Sequence, residues 1–181
     1  KGLATNTVQL LSAVTVSNLL SVTTGIILVN GQTLTVNANT DLSSANGTIH
    51  LDAAGSALAL GANALTVSAG KLLHDQGAVT AGSLTISGTG TYDASAAFAG
   101  TISIGAGGIT QAAAGSTLSL GQKTASSAGS VAITAGTFTE GTSSLTMTGA
   151  GTTLRVTPAR QLHDLTVTVG AGNTVNISTD D

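Results

Sequence analysis

The chain has 181 residues, 7% of them charged and 2% aromatic, with 24 glycines, no cysteine and a formal net charge of −3. Five scattered bases (Lys1, Lys71, Lys123, Arg155, Arg160) make no phosphate-tracking stripe, and so few rings make no base-stacking platform, so nucleic acid is not expected as a partner. Zero cysteine excludes disulfides and thiolate metal sites, and an apolar-rich, charge-poor chain is the opposite of a typical disordered one.

The chain starts at Lys1 without Met, which fits a processed protein or a fragment. Residues 8–29, "VQLLSAVTVSNLLSVTTGIILV", are uncharged and about long enough to cross a bilayer. Eight of them are Ser, Thr, Asn or Gln, several alternate with aliphatics, and no aromatic belt flanks them, so strands are expected there and no membrane span. An outer-membrane barrel would lack its aromatic girdles.

From there, period-2 alternation runs in bursts of three to five residues, the signature of short half-buried strands. One form dominates: Thr, an aliphatic, then Ser, Thr or Asn. It occurs at Thr15, Thr35, Thr66, Thr85, Thr101, Thr117, Thr146 and Thr166, with degenerate copies at Thr48 and Ala132. Successive copies are 20, 13, 18, 19, 16, 16, 15, 14 and 20 residues apart, about 17 on average. Further short strands are expected between them, at 58–60, 72–73, 109–110 and 138–139. Turns such as "NG", "GAN" and "GAGG" supply positive-φ residues.

A unit of about 17 residues cannot bury its own apolar face, whereas stacked coils can. The expected fold is all-β: a right-handed parallel β-helix (β-solenoid) of about ten coils, roughly 50 Å long at 4.8 Å per coil. It is expected to be a single domain over residues 1–181, or a segment of a longer repetitive chain. The scarcity of aromatics suits a coil too thin for rings. A β-sandwich would need strands of five or six residues and larger core side chains. The best helical stretch, "DASAAFAG" at 93–100, ends in Gly after two turns.

Two segments bear on chemistry. "LTVSAGKLLHD" at 65–75 lies over "LRVTPARQLHD" at 154–164, an offset of 89 residues, or about five coils and roughly 25 Å. Two His-Asp pairs that far apart cannot share a metal, and His50, the third histidine, lies in a different coil. A structural corner is expected, with Lys71 or Arg160 pairing Asp75 or Asp164 and the Leu before each His entering the core. Sugar cleavage would need two acids at about 5–10 Å. Of Asp41, Asp52, Asp75, Asp93, Glu140, Asp164, Asp180 and Asp181, the pair Asp41 and Asp52 are close enough in sequence to sit on one face, but single acids at turns are the ordinary case. These acids are also too dispersed for a calcium-binding solenoid repeat. No catalytic, cofactor-binding or metal-binding residue is therefore expected, and no enzyme. Sequons occur at Asn46 and Asn176, meaningful only in a glycosylating host.

The repeated "G-T-L-x-L-x-V/I" texture, with "LHDLTVTVGAGNTVNIS" at 162–178, resembles the β-strand-repeat proteins of bacterial and archaeal surfaces, broadly similar to filamentous haemagglutinin-type β-solenoids. The resemblance implies an extracellular or cell-surface rod serving as fibre, stalk or adhesin. It transfers no functional residues, and the haemagglutinin-type secretion motif is not visible.

The expected function is a structural subunit of an extracellular filament, with the chain itself as partner in a head-to-tail homopolymer, because neither end shows a polar cap and a non-closing end-to-end contact generates a filament. Two alternatives are a surface adhesin stalk contacting cell surface or glycan, and an ice-binding array built on Thr rows. The first would call for an aromatic-bearing loop, which the sequence does not display. The second has a Thr ladder aligned on one face but needs even coils, against steps of 13 to 20.

Overall fold

The computed structural model describes residues 6–157, 160–171 and 173–178. Twenty strands and no helix occur among them, and the strand pairings are parallel. Residues 8–29, weighed above as a span, contain three short strands, and no described helix is long and apolar enough to cross a membrane.

The chain winds as a β-solenoid with three faces. The first face stacks β1 (Thr7–Gln9), β3 (Gly25–Leu28), β6 (Gly47–Leu51), β9 (Lys71–His74), β11 (Thr91–Asp93), β13 (Thr117–Ser119) and β16 (Thr137–Thr139). The second stacks β2 (Val14–Val16), β4 (Thr33–Val36), β7 (Ala57–Ala59), the first half of β10 (Gly77–Ile86), the first half of β12 (Gly100–Gln111), β14 (Lys123–Ser127), β17 (Ser144–Met147) and β19 (Asp164–Val167). The third stacks β5 (Thr40–Leu42), β8 (Ala64–Val67), the second halves of β10 and β12, β15 (Val131–Ile133), β18 (Thr152–Val156) and β20 (Val175–Ser178). β10 and β12 turn from the second face to the third without ending, through a register shift between Ala81 and Ser83.

The solenoid has about eight coils rather than ten, and is about 38 Å long at 4.8 Å per coil. The discrepancy has a physical origin. A coil takes 19 residues where it is shortest (Leu65 to Leu84) and 26 where it is longest (Thr91 to Thr117). The Thr-x-Ser/Thr triplet marks outward-inward-outward alternation, which is the same on every face. Thr48 and Thr117 lie on the first face, Thr35 and Thr146 on the second, Thr66 and Thr85 on the third. Counting triplets as coils therefore overcounts.

The core is a set of aliphatic columns. On the second face Val14, Leu34, Leu58, Val79, Ile102, Ala125, Leu145 and Leu165 stack in register; on the third, Leu65, Leu84, Ile109, Val131, Leu154 and Ile177. Between the ends these residues are buried, each capped above and below by its equivalent. The coil is not too thin for rings, because Tyr92 is fully buried on the first face, at the start of the 26-residue step. The corner before the second face needs glycine: Gly77 has φ +88°, and a Cβ there would lie 1.9 Å from the Ser56 carbonyl oxygen of the preceding coil.

Candidate functional site

The offset of 89 residues does align the two His-Asp segments, since Leu65 and Leu154 occupy one column of the third face. They are four coils apart rather than five, or about 19 Å. The two segments then diverge. Residues 71–74 form β9, with Leu72 and His74 pointing inward and Leu73 outward, so His74 itself occupies the core position instead of the Leu before it. His163 and Asp164 are exposed and pair with each other, Nδ1 to Oδ2 at 3.2 Å.

The expected base–acid pairings are not the ones formed. Asp75 meets His50 of the preceding coil, Oδ2 to Nε2 at 2.8 Å, while Lys71 is exposed. Arg160 donates to the Thr157 hydroxyl and to the Gly136 carbonyl. Asp41 and Asp52 do not share a face. Asp41 lies in β5 on the third face and accepts from Ser68 Oγ, whereas Asp52 follows β6 on the first face and accepts from the Asn30 amide. Among the described residues, no group of three His, Cys, Asp or Glu could hold a metal ion. Asn46, in the turn before β6, and Asn176, in β20, are both exposed.

The densest polar cluster lies inside the corner between the first and second faces. His74 Nδ1 lies 2.8 Å from the Tyr92 hydroxyl, and Nε2 lies 3.2 Å from the Gly77 carbonyl. A carbonyl can only accept, so Nε2 carries the proton and Tyr92 donates to Nδ1. Burial pushes the His74 pKa down to about 4; the Gly77 hydrogen bond partly opposes this, nearby Lys123 lowers it further, and Asp75 raises it. Burial alone pushes the Tyr92 hydroxyl well above its usual value. A neutral His and a neutral phenol thus satisfy each other, out of reach of any substrate atom in solution.

Beside them lies Lys123, the first residue of β14 and essentially unexposed. Its ammonium donates to three backbone carbonyls of one loop, Ala94 at 3.2 Å, Ala96 at 3.3 Å and Phe98 at 2.8 Å. Burial lowers its pKa, opposed by the charges of Asp75 and Asp93. Gly100 separates the two groups: a Cβ there would sit 2.9 Å from Lys123 Cδ and 3.2 Å from His74 Nε2. The product of this cluster is a fixed loop. Residues 94–99 carry Phe98, which is 54% exposed, in contrast to buried Tyr92 and partly buried Phe138. An aromatic-bearing loop is therefore present, against the sequence expectation. Its signals were Lys123, one of five bases, and Phe98, one of three rings.

The Thr rows are also distributed differently from the expected single ladder. The outward column of the second face runs Thr15, Thr35, Ala59, Thr80, Ser103, Ser126, Thr146, Thr166, and that of the third runs Asp41, Thr66, Thr85, Thr110, Ala132, Arg155. The second face carries a further outward column, Thr33, Ala57, Ala78, Thr101, Thr124, Ser144 and Asp164, so its two rows are mixed and interrupted by alanine at 57, 59 and 78, while the row on the third face is broken by Ala132 and Arg155.

The two ends are the remaining candidate surfaces. Val8 is 62% exposed, Leu11 84%, Leu19 73% and Ile177 66%, with Val14, Leu165 and Val167 also uncovered. No family model, no curated protein and no solved structure matches the chain.

Proposed function

We propose that this chain is a structural subunit of an extracellular filament, assembling by end-to-end stacking of β-solenoid rods, and is not an enzyme. The observation that carries the reading is the fate of the core columns. Val14 continues the column of Leu34 and Leu58, Leu165 that of Leu145, and Ile177 that of Leu154, and all three are exposed, with no further coil over them among the described residues. Among the described residues β2, β19 and β20 each pair with a strand on one side only, and an open strand edge templates the addition of another strand.

A second rod placed coil on coil would continue the same columns in the same register. One end differs from the other, so the contact is heterologous and propagates. The extracellular setting rests on the resemblance of the sequence texture to β-strand-repeat surface proteins.

Electron microscopy of the concentrated protein tests the proposal. Uniform threads with an axial repeat near eight coils, about 38 Å, support stacking. Discrete short rods at every concentration overturn it.

A further inference from the structure

We propose that two rods also pair side by side, each inserting the Phe98 ring of one copy into a depression on the other. The depression is open, about 470 Å³, and crosses the corner where the first face meets the second. Its lining includes Ala57, Ala78, Gly77, Gly100, Thr101 and Thr124, with no titratable side chain. It exists because the outward column Thr33, Ala57, Ala78, Thr101, Thr124 drops to alanine at 57 and 78, and the corner beside it is lined by Gly55, Gly77 and Gly100.

The occupant is argued from three facts. First, the chain carries its own knob beside the hole: Phe98 directly precedes Ala99 and Gly100, which line the depression, and its loop contains no charged residue. Neither surface has to strip water from a charge, as suits an interface centre with an aromatic anchor. Second, the loop is held by a buried ammonium that binds three of its carbonyls, so the ring is presented rigidly, with little ordering entropy left to lose on docking. Third, β7, β10, β12 and β14 belong to coils three to six of the eight described, so the depression is centred on the described coils.

A knob and hole side by side on one face are self-complementary about a two-fold axis. With that axis at the centre of the described coils and perpendicular to the rod, two antiparallel rods overlap along all of those coils. A contact strip about 38 Å long and one strand wide buries on the order of 500 Å² per partner, at the low end of specific interfaces, so the pairing is reversible and concentration-dependent.

The pairing is separable from end-to-end stacking and is tested without it. The protein has no cysteine, so a single Ala78→Cys variant reports on this face alone when treated with a short bis-maleimide. Cross-linked dimer is expected from Ala78→Cys and not from Thr66→Cys, an outward position on the third face. Adding Phe98→Ala to Ala78→Cys is expected to lower the dimer yield at least tenfold, with an unchanged thermal midpoint because the ring is exposed. Equal cross-linking at both positions, or a yield insensitive to Phe98→Ala, overturns the pairing. In the latter case Phe98 serves another occupant, such as a neutral glycan.

Discussion

The imidazole of His74 and the phenol of Tyr92 face each other at 2.8 Å with no exposed surface on either residue. The arrangement requires a neutral imidazole, and this makes the fold acid-sensitive. His74 titrates near 6.5 when unfolded and near 4 when folded, so below 6.5 the unfolded chain takes up a proton that the folded one refuses. Stability should be level from this source above pH 6.5 and fall as pH drops from 6.5 to 4, by roughly 3 kcal/mol in total. Thermal melts across that range should show the decline, and a His74→Leu variant should be much flatter between pH 6.5 and 5. An equal decline in the variant would assign it to the carboxylates instead.

Lys123 places an ammonium where water is absent and compensates with three carbonyls. Lys123→Met removes the charge but leaves those three acceptors without their donor. The loop is at the surface and can take up water in exchange, so the expected loss is moderate, about 1–3 kcal/mol. The sharper effect should be local: amide hydrogen exchange at residues 95–99 should accelerate while the amides of β10 and β12 keep their protection. Uniform acceleration would mean that Lys123 supports the whole corner rather than the loop.

Alternation around Val79, Leu84 and Leu145, together with the Gly-rich turns, made the solenoid legible, because an outward Thr beside an inward aliphatic obeys the same rule in any stacked coil. That sameness also hid which face each strand occupies, and so concealed the coil length. The polar cluster was illegible for a related reason. Leu72-Leu73-His74 alternates correctly only if His is the inward residue, and hydrophobicity points to Leu73 instead. What makes His74 acceptable inside is Tyr92, contributed by the next coil 18 residues later. The ring fits because that coil begins a 26-residue step. Neither partner announces the other in sequence.

The corner glycines give a paired test. At Gly77 an added Cβ meets the Ser56 carbonyl oxygen at 1.9 Å, and φ is +88°; at Gly61 φ is +59° with nothing within 4 Å. Gly61→Ala should therefore cost only the left-handed backbone penalty, ~1–2 kcal/mol. Gly77→Ala must also push apart two coils joined by the Ala78 amide bond to the same Ser56 oxygen, and about 3 kcal/mol or more is expected. Thermal midpoints should separate by several degrees. Equal midpoints would show that the corner can shift freely.

Val14 and Leu58 belong to one core column but differ in cover: Leu58 is fully buried, and Val14 is partly exposed in an end coil. If the ends stack, the two positions separate assembly from folding. Leu58→Ala opens a cavity and should cost about 2–5 kcal/mol of stability, while any surviving folded protein still forms threads. Val14→Lys leaves the interior of the rod intact, so its midpoint should move by only a degree or two. It would, however, bury a charge between stacked rods, against the aliphatic end of the column. The critical concentration for thread formation, read by light scattering, should rise at least tenfold, equivalent to about 1.4 kcal/mol per contact. An unchanged critical concentration in Val14→Lys would mean that the rods do not meet through this column, and the filament would then have to be built from the flanks alone.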